Sequence, residues 1–303
     1  MRFISNILLT SLVVIAGNSV TAQETGSDNI TESDRLKITA LEMLMSAPAE
    51  RALPLVAGVL SANHSDAVKS RALFILSQIE LPEAQTLLLE TARNGRPELK
   101  LYAIRMIGVG GDTATLAALA DIYENGDRDI KASVLRAYLI ADDSGAVYAV
   151  AANATSDEEF EAAVQTLSAM GATKELRQLG DGGVASASLI RAYAISADLE
   201  ALNRLVLDES NPETQLQAIQ GIGIIGGDEA NASLMEIYRG AGREEIRRAA
   251  LHGMLVAGHE EGVVELFRAS QDATEKRELL HLLMNMDSDA ALDIISATLE
   301  SDQ

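Results

Sequence analysis

The chain of 303 residues contains no cysteine and no tryptophan. Without thiols it cannot form disulfides, bind zinc or iron–sulfur clusters through cysteine, or use a cysteine nucleophile. Basic residues are also scarce, because 24 Lys and Arg stand against 45 Asp and Glu, for a formal net charge of −21. Since nucleic-acid binding depends on Lys and Arg that neutralise phosphates, we expect no nucleic-acid partner.

Aromatic residues make up only 3% of the chain, whereas 48% of its residues are hydrophobic. An apolar content this high is sufficient to bury a core, which argues against an intrinsically disordered chain. The apolar residues are mainly Ala, Leu, Ile and Val, a composition that favours helices over sheets. We therefore expect a helical protein with few aromatic rings in its core.

The first 22 residues have the features of a signal peptide. Arg2 precedes an apolar stretch over Phe3–Ala16, and a short segment ending at Ala22 follows. We predict cleavage between Ala22 and Gln23 and a periplasmic or secreted location. An uncleaved anchor is the alternative, but the apolar stretch is shorter than the roughly 20 residues that a spanning helix needs. No stable membrane insertion is therefore expected after cleavage.

The rest of the chain repeats a two-residue pattern, usually a small residue followed by a larger apolar one, at intervals of 25 to 32 residues. The pairs are Ala40-Leu41, Ala72-Leu73, Ala103-Ile104, Val134-Leu135, Val164-Gln165, Leu189-Ile190, Ala218-Ile219, Ala250-Leu251 and His281-Leu282. Each unit carries two apolar stripes with helical spacing. Because one helix pair cannot bury its own stripes, the pairs must stack. The pattern predicts an all-α fold, an α-solenoid of about nine antiparallel helix pairs over residues 32–303, after a short flexible segment at 23–31.

Four units share an acidic residue followed closely by an apolar and a basic residue. These are Asp66 with Val68-Lys69, Glu98 with Leu99-Lys100, Asp129 with Ile130-Lys131, and Glu245 with Ile246-Arg247. In these residues the chain resembles the HEAT-repeat family, in its short bacterial form of about 31 residues. The resemblance implies a right-handed superhelix, an acid–base ladder between neighbouring repeats, and a concave surface lined by the helices that carry the base.

No motif in the chain indicates catalysis. Gly221, Gly223 and Gly226 form G-x-G-x-x-G, but the motif follows a helical pattern instead of a strand, which indicates a helix end and not a dinucleotide site. The four histidines are scattered and lack the spacing of metal ligands. The nucleophile motif G-x-S-x-G is absent. We therefore predict no catalytic, cofactor-binding or metal-binding residues.

One column of equivalent positions is enriched in arginine. Its members, counted at one fixed offset in each unit, are Glu42, Phe74, Arg105, Arg136, Thr166, Arg191, Gln220, His252 and Leu283. The arginines at 105, 136 and 191 can grip carboxylates in a bidentate manner, and neighbouring tyrosines can supply rigid contact area. The predicted partner-binding residues are Arg105, Arg136, Arg191, Tyr102, Tyr138 and Tyr193. The alternative is that each arginine pairs with an acid of a neighbouring repeat.

The sequence thus favours an exported, non-enzymatic interaction scaffold that binds a protein or peptide partner on its concave surface. Two alternatives remain open. One is an enzyme or enzyme subunit, because similar HEAT-like repeats occur in the bilin lyases of phycobilisomes. The other is a structural or regulatory module that works with a membrane protein.

Overall fold

The computed structural model describes residues 30–182, 186–286 and 289–300, and within these ranges the chain is helical without any β-strand. The predicted signal peptide and most of the segment 23–31 lie outside the described residues. The helices are α1 (Glu32–Met43), α2 (Ala49–Ser61), α3 (Asp66–Leu76), α4 (Pro82–Asn94), α5 (Pro97–Gly110), α6 (Thr113–Ala117), α7 (Leu119–Glu124), α8 (Arg128–Ile140), α9 (Ser144–Ala152), α10 (Asp157–Ala169), α11 (Thr173–Asp181), α12 (Ala187–Ile195), α13 (Leu199–Leu207), α14 (Pro212–Ile225), α15 (Gly227–Gly240), α16 (Glu244–Ala257), α17 (Glu260–Ala269), α18 (Ala273–Asn285) and α19 (Asp289–Glu300).

These helices form nine consecutive pairs, with α6 and α7 together taking the place of one helix that is interrupted at Ala118. The first member of each pair belongs to an inner layer: α1, α3, α5, α8, α10, α12, α14, α16 and α18. The second members form an outer layer. The prediction of an all-α solenoid of nine helix pairs is confirmed.

The two layers pack differently along the chain. Each inner helix lies directly against the next inner helix, from α1 on α3 to α16 on α18, whereas most outer helices contact one another much less. A stack whose inner helices are closer together than its outer helices must bend toward the inner layer. The exposed face of the inner helices is therefore the concave surface, as expected.

Local sequence signals explain where the helices begin. Pro82, Pro97 and Pro212 each occupy the first turn of a helix, where the missing N–H is not needed. The backbone N–H of Glu159 donates to the Oγ of Ser156, as a capping motif requires. Before α14 it is the Asn211 side chain that caps the helix, because its Oδ1 accepts from a backbone N–H of the first turn.

Glycine allows inner helices to approach closely, and two of these contacts join α5 to α8 and α14 to α16. A Cβ at Gly108 on α5 would lie 2.6–2.7 Å from backbone atoms of Ala137 on α8. A Cβ at Gly223 on α14 would lie 2.7 Å from the Cα of Gly253 on α16. These glycines belong to the helix and its packing, so the G-x-G-x-x-G motif is a helix end, as predicted: Gly226 terminates α14 with φ +63°.

Of the four bases in the repeat motif, Lys131 pairs with an acid of the next repeat within the described ranges, and of the four motif acids Asp66 pairs with Arg96 at the beginning of the next repeat. Lys131 on α8 donates to the Glu159 carboxylate on α10, and the Thr155 N–H and hydroxyl donate to the same carboxylate at 3.0 Å each. The hydrogen bond from Lys131, followed by those from Thr155, lowers the pKa of Glu159 from 4.5 to about 2. Lys69 and Lys100 make no ion pair with any residue in the described ranges.

Candidate binding surface

The three arginines predicted to bind a partner lie on the concave face of the inner helices α5, α8 and α12, and all three are exposed. Arg191 has an acid nearby, since its Nη1 lies 3.9 Å from the Glu161 carboxylate on α10. Arg105 and Arg136 form no ion pair with any described residue. Pairing with a neighbouring repeat therefore accounts for Arg191 only in part and leaves the other two unexplained.

The structure shifts the column by one residue on α10 and by two on α18. Thr166 is half-buried and its hydroxyl donates to the Ala162 carbonyl, so Gln165 takes the exposed place. Leu283 is fully buried, and His281 takes the exposed place on α18. From α5 onward the exposed positions are Arg105, Arg136, Gln165, Arg191, Gln220, His252 and His281, which we name the polar row.

Two of the three predicted tyrosines are wrongly assigned to the surface. Tyr138 and Tyr193 are only 1% and 3% exposed, because they lie two residues beyond the arginine on each helix and turn into the core between the layers. The Tyr193 hydroxyl donates to the Leu176 carbonyl at 2.9 Å. Burial raises the pKa of each phenol to about 12. These rings are structural, whereas Tyr102 is half-buried beside the column.

A second row of exposed residues is apolar and was not predicted from the sequence. It consists of Val109, Ile140, Ile195, Ile224 and Val256, which are between 45% and 66% exposed. Each lies four residues after a member of the polar row, one helical turn further along the same face. The signal was present in the sequence, but such residues are indistinguishable from core positions when only apolar periodicity is read. We name the two rows together the inner stripe.

The inner stripe contains a depression of about 270 Å³ between α10 and α12. Its walls include Gln165, Ser168, Arg191 and Ile195, so both rows contribute to it. The Ser168 hydroxyl oxygen is buried and has no hydrogen-bond partner among the described residues. The depression can therefore accept a side chain that offers both an apolar surface and a polar atom.

Two of the larger clefts differ in their position relative to the inner stripe: the first lies away from it, and Gln165 of the polar row lines the second. One, of about 820 Å³, lies beside the outer helices α13 and α15 and has apolar walls that include Leu207 and Ile237. The other, of about 560 Å³, surrounds the Lys131–Glu159 ion pair at the beginning of α8 and α10. Among the described residues no group of three or more His, Cys, Asp or Glu is arranged to hold a metal ion. No helix in the described ranges is long and apolar enough to cross a bilayer.

This two-layered stack of helix pairs is an α-solenoid of the HEAT-like type. Human deoxyhypusine hydroxylase, solved in complex with glycerol, is similar over 84% of this chain and 91% of its own, with 20% identity and a TM-score of 0.36. The complex of CpcE and CpcF of phycocyanin lyase from Nostoc sp. PCC7120 is similar over 92% of this chain and 97% of its own, with 16% identity and a TM-score of 0.30. No protein-family model and no curated protein matches the sequence.

These comparisons correct the expectation of a non-enzymatic scaffold. Two of the similar solved structures are a hydroxylase and a lyase complex. A repeat architecture without a recognisable catalytic motif is not evidence against an enzyme, because a fold does not determine whether catalysis takes place on it or beside it. At these identities the likeness itself concerns the fold.

Proposed function

We propose that this chain is the polypeptide-binding subunit of an enzyme, and that the inner stripe holds the partner. One observation carries the proposal: Arg105 and Arg136 are exposed without an ion pair to any described acid, and exposed aliphatic side chains lie one turn away on the same helices. Arginine and apolar side chains side by side are typical of protein interfaces.

The length of the inner stripe favours a polypeptide over a small molecule. The part of the stripe from Arg105 to His252 crosses six inner helices from α5 to α16. Packed helices lie about 8–10 Å apart, so its length is roughly 40–50 Å. A small molecule would reach one or two members of each row, whereas a polypeptide segment can contact all of them. The net charge of −21 and the apolar row both disfavour a nucleic acid.

The chemical nature of the stripe supports a division of roles in which the partner carries out the reaction. Its guanidinium, amide, imidazole and aliphatic groups can bind and orient a polypeptide, and among the members of the two rows no nucleophile is paired with a base. A subunit of this kind accelerates a reaction by holding a polypeptide in the geometry that the reaction requires. This differs from a passive scaffold, because removal of the subunit lowers the turnover of the partner.

Two further assignments belong to the same proposal. The repeat motif with its Lys131–Glu159 ion pair supports membership of the HEAT-repeat family. The first 22 residues support export to the periplasm. Sequencing the amino terminus of the mature protein, isolated from the periplasm, would show Gln23 first.

The test is site-specific photo-crosslinking in the native host. A photoreactive residue is placed at Ile140 or Ile195 on the inner stripe and, as a matched control, at Leu207, which is 79% exposed on the outer helix α13. We expect one and the same protein to be captured from both inner positions and not from Leu207. The captured protein is then purified with and without this chain, and its turnover is measured. Equal capture from Leu207, or equal turnover without the chain, would contradict the proposal.

A further inference from the structure

The two rows of the inner stripe form a regular grid. Along each helix the polar and apolar residues are four positions apart, which separates their Cβ atoms by about 5–6 Å. Across the helices the repeat distance is about 8–10 Å. The backbone contacts of Gly108 with Ala137 and of Gly223 with Gly253 place two of these steps at the short end of that range. A polypeptide that crosses the helices from α5 to α16 therefore meets one polar position per step, and one apolar position on each helix except α10, where the apolar row has no member.

An extended chain in the polyproline II conformation fits this grid better than a β-strand does. Polyproline II has three residues per turn and a rise of about 3.1 Å per residue, so equivalent side chains recur about every 9.3 Å. In a β-strand, side chains on one side recur every two residues, or about 6.7 Å. From Arg105 to Arg191 there are three helix steps, about 24–30 Å. Nine polyproline II residues span about 28 Å, whereas six strand residues span only about 20 Å.

We propose that the inner stripe recognises an extended acidic segment with a period of three residues, in which carboxylates face the polar row and aliphatic side chains face the apolar row. This inference rests on the proposed function and specifies its ligand. Because Gln165 stands between Arg136 and Arg191, the segment carries acids at positions 1, 4 and 10 and an uncharged polar residue at position 7. The third residue of each turn faces away from the surface and can be proline.

Charge complementarity selects an acid over a base. From Arg105 to His281 the polar row contains no carboxylate, although acids outnumber bases almost two to one in the whole chain. In a chain with a net charge of −21, an acidic segment is attracted to these arginines and repelled by the excess of acids elsewhere, which gives specificity as well as affinity. Exposed guanidinium groups without an ion pair can each bind a carboxylate in a bidentate manner.

Glu161 provides an internal check on the inference. Its carboxylate lies on α10 beside the stripe, accepts a hydrogen bond of 3.1 Å from the Gln165 amide, and is 3.9 Å from the Arg191 guanidinium. A carboxylate of the ligand at position 10 must share Arg191 with it. Removing the charge of Glu161 should therefore strengthen binding, whereas a purely structural ion pair would leave binding unchanged.

The experiment measures fluorescence anisotropy of labelled twelve-residue peptides with the mature chain. The test peptide is Glu-Leu-Pro-Glu-Leu-Pro-Gln-Leu-Pro-Glu-Leu-Pro. One control has the same composition with Glu and Leu alternating, a second is a proline-free helical peptide with acids seven residues apart, and a third has Lys in place of each Glu. We expect the test peptide to bind at least about tenfold more tightly than every control. The Arg105→Glu/Arg136→Glu variant should no longer bind the test peptide and should bind the Lys peptide instead. The Glu161→Gln variant should bind the test peptide about twofold more tightly.

The outcomes separate the inference from the proposed function. If the alternating peptide binds as tightly, or the helical peptide binds more tightly, the period of three is refuted, while loss of binding in the arginine variant would still support the inner stripe as a binding surface. If no acidic peptide binds but a partner is captured from Ile140 and Ile195, the acidic segment is refuted and the proposed function remains. Because the substituted residues are exposed, circular dichroism should show unchanged helicity in each variant.

Discussion

Replacement of Gly223 by alanine tests whether the inner helices meet backbone to backbone. The added Cβ would lie 2.7 Å from both the Cα and the carbonyl oxygen of Gly253, closer than real Cβ atoms approach such neighbours. No side-chain rotation can relieve this contact, so α14 and α16 must separate. Inserting a methyl group into packed structure costs about 1–3 kcal/mol. Alanine in a helix recovers about 0.5–1 kcal/mol of that, so we expect net destabilisation of about 1–2 kcal/mol.

The matched control is Gly58→Ala on the outer helix α2, where the added Cβ has no neighbour within 4 Å. Here only the helix propensity acts, and stability should rise by about 0.5–1 kcal/mol. The assay is urea unfolding followed by circular dichroism, in which the midpoint should fall for Gly223→Ala and rise for Gly58→Ala. Equal midpoints for the two variants, or a higher midpoint for Gly223→Ala, would refute the close approach of α14 and α16.

Three further predictions concern polar groups between the helices. The pKa of Glu159 is lowered to about 2 beside Lys131, so its ion pair stabilises the fold above pH 4.5, and this stability is lost as the pH falls toward 2. In the Glu159→Gln variant the urea midpoint should therefore fall less steeply between pH 4.5 and pH 2 than in the wild-type chain. Asp198→Ala should cost about 2–4 kcal/mol in urea unfolding, because its buried carboxylate accepts two hydrogen bonds of 2.6 Å from Arg177 and caps α13. Tyr193→Phe should cost about 0.5–1.5 kcal/mol in thermal unfolding, because it removes the hydrogen bond that the buried hydroxyl donates to the Leu176 carbonyl of α11.

Each of these variants has a less buried counterpart that should behave differently. Glu158→Gln removes a carboxylate that pairs with Arg128 at the surface, and it should leave the acid response of the wild-type chain unchanged. Asp181→Ala removes an exposed partner of Arg204 and should cost less than about 1 kcal/mol. Tyr102→Phe should be close to neutral. Effects as large in these controls as in the buried positions would contradict the burial on which the predictions depend.

The number and order of the helices were predictable because apolar periodicity survives in every repeat. The register of each inner helix, meaning which of its residues face the core and which face solvent, was harder to predict. On α10 the neighbouring residues Ala163 and Val164 are both buried, so either could be taken as the first of the pair, and the error moved the exposed position from Gln165 to Thr166. On α18, Leu279 and Leu283 are the fully buried positions, which the sequence pattern could not distinguish from Leu282.

The candidate site was predicted in part. The arginines were found because their charge stands out in an acidic chain. Tyr138 and Tyr193 were misplaced because tyrosine is compatible with both surface and core. Only the fold shows that the Tyr193 hydroxyl donates a hydrogen bond to a carbonyl of α11. The apolar row was missed for the opposite reason, since exposed Ile140 and Ile195 continue the same helical pattern as their buried neighbours.

The glycine contacts have a mechanical consequence. Helices usually slide over one another on a layer of side chains, but α5 on α8 and α14 on α16 touch through their backbones, which leaves no such layer at the contact point. We expect these two junctions to be stiff and the junctions from α8 to α14 to be compliant. The solenoid would then flex as two blocks joined by a softer centre, and spin labels at Arg136 and Arg191 should report a broader distance distribution than labels at Arg105 and Arg136. A segment bound along the inner stripe would contact helices on both sides of that centre and would restrict its bending.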